Sequence, residues 1–206
     1  MNSIRKQVQV FLRSFLDFLV ENWAHDALEE RAEKIVRLFE SSIPAGSRVL
    51  DVGGGWGFYD KPLRDRGHQP LVLDVIKPGY HRAPVLIYDG KRIPFPDQSF
   101  DVTLLVTVLH HVADPAALLG EVWRVTRSRV VVVEDLYRHF WGRFWTICRD
   151  RLLNLELLGH PHQFRKKEEW TVFFESHGFR QVFFTEFRTW LAGLRILNGL
   201  YVFERT

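Results

Sequence analysis

Cysteine occurs once in the sequence, at Cys148. A lone thiol closes no internal disulfide and builds no cysteine-rich zinc site, which points to a reducing compartment and a cytoplasmic location. Long uncharged apolar runs are also missing. The most apolar-looking stretch, residues 1–20, is interrupted by Arg5, Lys6, Arg13 and Asp17, so it reads neither as a membrane span nor as the core of a signal peptide. Neither sign of charge dominates, with 28 Lys and Arg against 25 Asp and Glu, and composition therefore announces no nucleic-acid binder. Internal repeats and low-complexity tracts are absent. The 206 residues that remain are ordinary globular material, 46% hydrophobic and 26% charged, enough for one domain with a modest appendage. Aromatic residues, 14% of the chain, exceed what a core needs and suit an apolar cavity or a membrane-facing surface.

The pattern along the chain changes at about residue 46. Before it, Ile4, Val8, Phe11, Leu12, Phe15, Leu16 and Leu19 recur at spacings of three and four, predicting an amphipathic helix over 3–20. Leu28, Ala32, Ile35, Val36 and Phe39 predict a second over 24–41, stopped by Pro44 and Gly46. After it, short β-branched runs over 48–52, 71–75, 85–88, 102–108, 130–134, 181–185 and 200–203 alternate with helical patterns over 58–66, 115–126 and 166–177. Strand and helix in alternation predict a doubly wound, Rossmann-like α/β domain around a mostly parallel seven-stranded sheet. The expected organisation is an N-terminal helical lid over 1–46 and a core domain over 47–206.

Residues 136–165 exceed the length of an ordinary strand-to-helix connection and read as a helical insertion after strand five. Tyr137, Trp141, Phe144, Cys148, Leu152 and Leu155 form its apolar stripe. From 136 to 167 it carries seven basic residues and two acidic ones, which suits an anionic substrate, a lipid surface or an acidic carrier protein. Together with the N-terminal helix it is the natural cap over a substrate.

The chemistry-bearing signal is Asp51-Val52-Gly53-Gly54-Gly55-Trp56-Gly57, a strand ending in glycines and leading to a helix. Glycines at 53, 55 and 57 let a ligand approach backbone N–H groups with no Cβ in the way. The dinucleotide fingerprint would need glycine at Phe58, so nicotinamide and flavin binding are disfavoured. Asp74 ends the next strand 21 residues after Gly53, where a carboxylate can accept from both ribose hydroxyls of an adenosine ligand.

These segments, with Leu73-Asp74-Val75, the stretch from Asp89-Gly90 to Phe100-Asp101, and Leu109-His110-His111-Val112-Ala113-Asp114-Pro115, resemble the class I S-adenosylmethionine (SAM)-dependent methyltransferases. The likeness is to the small-molecule (type 11) branch that includes ubiquinone and menaquinone biosynthesis enzymes, and it is close over 48–134. It implies that Asp51 and the backbones of Gly53 and Gly55 hold the methionine part of SAM and that Asp74 binds the ribose. It also implies that Val75 and Ile76 flank the adenine, that Asp89 and Gly90 face its edge, and that Thr107 offers its backbone to the methionine end. S-adenosylhomocysteine is then the product.

Because SAM carries the activated methyl group, the protein has mainly to align an acceptor, helped by a base where the acceptor is an alcohol, phenol or acidic carbon. His110 and His111 follow strand four, where open α/β sheets bind ligands, and His110 is the preferred candidate; His162, in Gly159-His160-Pro161-His162, approaches from the insertion. No metal is assigned. The Asn- or Asp-Pro-Pro-aromatic motif of base methylation is missing after strand four, where Thr107-Val108-Leu109-His110 stands, so the expected acceptor is a small hydrophobic or amphipathic molecule and not nucleic acid. Peripheral lipid contact through the N-terminal helix or the basic insertion stays open, as does a catalytically silent SAM-binding partner or regulator.

Overall fold

The computed structural model describes residues 2–153, 163–191 and 193–204. In chain order the elements are α1 (Asn2–Leu19), α2 (His25–Phe39), β1 (Arg48–Val52), α3 (Asp60–Asp65), β2 (Gln69–Asp74), β3 (Val85–Ile87), β4 (Phe100–Val106), α4 (Pro115–Val125), β5 (Thr126–Asp135), α5 (Phe140–Leu153), α6 (Lys167–Ser176), β6 (Arg180–Leu191) and β7 (Leu194–Glu204). A π-helical turn, Val20–Ala24, joins α1 to α2.

The seven strands form one sheet in the order β3-β2-β1-β4-β5-β7-β6. β1 to β5 run parallel, while β7 lies antiparallel between β5 and β6. The expected doubly wound sheet is therefore present, with the last hairpin as its antiparallel part. The chain leaves β1 toward β2 and β3, then returns to β4 on the other side. That reversal opens a crevice at the carboxyl ends of β1 and β4, the place where such sheets bind ligands.

Burial on both faces explains the unbroken apolar runs of the central strands. Val131 and Val133 of β5 pack with Val49, Val102 and Leu104 against Ala32, Ile35, Val36 and Phe39 of α2 and Leu63 of α3. Val130 and Val132 face the opposite way, with Leu50, Leu105 and Tyr201, toward Leu119 and Val122 of α4 and Trp170 and Phe174 of α6. β6 and β7 run well beyond the apolar segments that mark them in sequence. Their outer pairs, such as Arg188↔Leu197 and Thr189↔Ile196, are held by ladder hydrogen bonds that carry no apolar signature.

Two helices turn the other way from what their sequence periodicity predicts. On α1, Val8, Phe11 and Phe15 are exposed, whereas Leu16 packs on the α2 side of the core beside buried Val20. On α5 the predicted stripe lies outward: Trp141, Phe144, Cys148 and Leu152 are exposed, and the buried residues are Thr146 and Asp150. Polar pairing overrides apolar periodicity here, because Arg149 donates to Asp135 at 2.5 Å and so turns the polar side of α5 inward. Leu155, the last residue of that stripe, lies outside the described residues.

Candidate functional site

Glycine chemistry forms the floor of the crevice. The chain turns out of β1 with Gly53 at φ 72°, Gly55 at 51° and Gly57 at 75°, conformations that strain any residue with a Cβ. Space is equally restricted: a Cβ on Gly53 would stand 2.6 Å from Val108, and one on Gly54 would stand 2.4 Å from the Asp51 carboxylate. Asp74 supports the turn from β2, accepting from the Gly55 amide at 2.9 Å and the Ile76 amide at 3.0 Å. The strand-end acid thus organises the loop as well as facing the crevice.

Above this floor lies a cavity of about 450 Å³. Its walls include Asp51, Gly53, Gly55, Asp74, Val75, Ile76, Thr107 and His111, which brings most of the sequence-predicted residues to one place. Asp89, Gly90 and His110 are not on its walls. The Asp89 carboxylate accepts from the amides of Lys91 and Arg92, closing its own turn, and these bonds hold its carboxyl below the usual range. His162 lies outside the described residues.

A buried acid and a cation both line the cavity. Asp51 is buried and its Oδ2 has no hydrogen-bond partner among the described residues. Burial, followed by the nearby carboxylates of Asp74 and Asp60, pushes the Asp51 carboxyl up to about 8. Arg31 of α2 reaches the same cavity and donates to the Tyr59 hydroxyl at 2.9 Å. Nothing in the sequence singles out Arg31; its only signal is a cation one helical turn from Leu28, which also lines the cavity.

The turn after β4 is built on Glu134, a fully buried carboxylate that sequence reasoning passed over inside the β5 run. Its Oε1 accepts from the amides of Val108 and Leu109 at 3.2 and 2.8 Å, and its Oε2 lies 2.5 Å from His110 Nδ1. Glu134 therefore shapes the whole turn after β4. Thr107 begins that turn at φ 55°, a costly conformation for a β-branched residue, held by the bond from its amide to the Val133 carbonyl. Burial opposes charge on His110, but the Glu134 carboxylate, with Asp150 and Asp135 further off, outweighs it and pushes the imidazole up to about 10. His111, one residue on, is less buried and faces the cavity with Asp135, Arg149 and Asp150.

The comparisons with known proteins bear on this arrangement. A family profile described as a methyltransferase domain matches residues 50–133, the span from the glycine turn to the end of β5. Over that span the chain is similar to methyltransferase domains. A demethylmenaquinone methyltransferase of Renibacterium salmoninarum is 34% identical over 117 residues, covering 52% of this chain and 49% of the relative. A ubiquinone/menaquinone biosynthesis C-methyltransferase of Paraburkholderia phymatum is 29% identical over 120 residues, covering 50% and 49%. The chain thus matches about half the length of these curated relatives. Among solved structures, a SAM-dependent methyltransferase from Methanosarcina mazei superposes with a TM-score of 0.63 at 17% identity, covering 82% of this chain and 96% of that one. The Burkholderia thailandensis 1,6-didemethyltoxoflavin N1-methyltransferase, solved with S-adenosylhomocysteine, gives 0.62 at 15% identity, covering 94% and 88%. These two likenesses establish the fold of the chain. Its described helices include none long and apolar enough to cross a membrane.

Proposed function

We propose that this chain transfers a methyl group from SAM to a small-molecule acceptor. The observation that carries the reading is that one cavity is lined both by the glycine turn with Asp51, Arg31 and Asp74 and by His111 with Asp135 and Asp150. The residues fit the cofactor, since the backbone of Gly55 borders open space on the cavity wall and Asp51 has a buried acceptor oxygen without a partner among the described residues. When bound, SAM supplies a sulfonium-activated methyl that an acceptor's electron pair displaces in line, sulfur retaining the electrons of the broken bond.

In this reading Asp51 faces the ammonium of the methionine end and Arg31 its carboxylate. The amides of Gly53 and Gly55 and the backbone of Thr107 line the same end. Asp74 holds the ribose hydroxyls, Val75 and Ile76 flank the adenine, and Asp89 with Gly90 forms the outer rim. His111 orients the acceptor and takes its proton where one must leave, while His110 positions His111 and the turn.

Residues 1–46 serve as a lid and 136–165 as a cap, a reading supported by the cavity positions of Leu28, Arg31, Arg149 and Asp150. The acceptor atom is oxygen, carbon or nitrogen of an apolar or amphipathic molecule; the names of the quinone-pathway relatives and apolar wall residues such as Val106, Val112, Leu118 and Ile196 support a ring of that kind. The outward Phe140, Trp141, Phe144 and Trp145 beside exposed Arg143 support transient contact with a lipid surface by a cytoplasmic enzyme. The test is calorimetry with S-adenosylhomocysteine followed by a methyl-transfer assay on reduced quinones and phenols. Binding with turnover that falls about a hundredfold in His111→Ala is expected; binding with no methylated product across the panel would leave a silent SAM-binding protein instead.

A further inference from the structure

His110 and His111 are neighbours in sequence, and the 3₁₀ turn Leu109–His111 brings their rings to 4.1 Å between centroids. Asp150, forty residues later on α5, places Oδ1 3.6 Å from Nε2 of each histidine. Taking one ligand atom from each, the three side chains converge within 4.8 Å of one another. The separation of 3.6 Å is too long for a hydrogen bond. It is close to the edge of about 3.3 Å that a tetrahedral ion would require of ligands held about 2.0–2.1 Å away.

The surroundings fix the donors in place. Glu134 holds the His110 ring through Nδ1 at 2.5 Å, and Phe164 stacks on it at 4.3 Å. Nε2 of His110, on a side chain 1% exposed, has no hydrogen-bond partner among the described residues and points toward Asp150. A carboxylate that holds one imidazole nitrogen and leaves the other to an ion is the arrangement that orients metal-binding histidines. The ion pair of Arg149 with Asp135 fixes the turn of α5 that carries Asp150.

We propose that His110, His111 and Asp150 form a binding site for one divalent transition-metal ion of the zinc type. Two imidazoles and one carboxylate suit zinc, cobalt or ferrous ion better than magnesium or calcium, which take oxygen ligands. Among the described residues three side chains converge, and His111 and Asp150 lie on the cavity wall, so an ion held by them is reached from the cavity. Binding of the ion stands on these side chains alone; its use rests on the methyl-transfer reading. There it selects acceptors that present a phenolic or enolic oxygen, which the ion holds and makes more acidic, in place of the proton acceptance that His111 performs when no ion is bound.

Titration of the chelator-treated full chain with Co²⁺, read by its visible absorption and reversed by Zn²⁺, tests the site. One equivalent is expected to bind, at least tenfold more weakly in His111→Ala and Asp150→Asn. Glu134→Gln is expected to weaken it ten- to a hundredfold. Circular dichroism confirms that each variant is folded, and His177→Ala, on the surface of α6, should bind as the parent does. No saturable binding of Co²⁺ or Zn²⁺ to the parent chain, or binding undiminished in folded His111→Ala and Asp150→Asn, would overturn the proposal. S-adenosylhomocysteine affinity, measured on the same samples, separates the two readings: cofactor binding without metal sinks only the site, and metal without cofactor sinks only the methyl-transfer reading.

Discussion

Asp17 of α1 accepts the indole N–H of Trp56 at 2.8 Å through one carboxylate oxygen and the amide of Gly79 at 2.8 Å through the other. The N-terminal helix is thereby tied to the glycine turn and to the loop after β2, although much of its apolar surface faces outward. Trp56, unusually bulky for its place in the motif, is the residue that makes this tie.

Asp17→Ala should therefore loosen α1 and weaken S-adenosylhomocysteine binding about three- to tenfold, the ~1 kcal/mol of a partly exposed hydrogen-bonded group. Hydrogen exchange should rise over residues 7–20 at the same time. Unchanged exchange and affinity would make the tie incidental to the site.

Asp51 predicts a pH dependence. Its folded-state value of about 8 lies above the ordinary 3.8, so between these two the native chain keeps a proton that the unfolded chain has released. Stability of the ligand-free protein should accordingly be greatest at low pH in this window and fall as pH rises from about 4 through about 8. Urea unfolding should show that slope reduced in Asp51→Asn. If Asp51 faces the cofactor ammonium, binding near pH 7 should also release a proton, visible by calorimetry in two buffers of different ionisation enthalpy. An absence of release would detach Asp51 from the ammonium.

Asp74→Ala removes the acceptor for the Gly55 and Ile76 amides as well as the proposed ribose contact. A loss of ~1.5–3 kcal/mol in cofactor affinity is expected, about ten- to a hundredfold, while NAD should bind neither protein. Equal affinities for parent and variant would take Asp74 out of the site.

His110→Ala differs from His111→Ala in kind. It leaves Glu134 buried with its charge and without its imidazole, which should cost ~3–5 kcal/mol of folding stability by chemical denaturation. His111→Ala, on the cavity wall, should cost under ~1 kcal/mol. The reverse order of stabilities would contradict the packing of the turn after β4.

The sheet was legible because strands buried on both faces need apolar residues in succession, as in Val49-Leu50 of β1, Leu104-Leu105-Val106 of β4 and Val130 to Val133 of β5. The glycine turn was legible because only glycine tolerates its backbone at 53, 55 and 57. Asp74 was legible by its distance along one strand and helix. The antiparallel hairpin was underread, since its outer half depends on ladder bonds that any side chain permits.

Local sequence therefore determined the strands, the glycine floor and the cluster of histidines after β4, each fixed by interactions within a few residues. Tertiary structure alone decided which histidine faces the cavity, because that depends on Glu134 arriving from β5 to claim the His110 ring. It also decided the direction of α5. Sequence periodicity records where apolar residues lie on a helix, not which side its ion pairs will pull inward, and the bond from Arg149 to Asp135 set Asp150 rather than Trp141 toward the site.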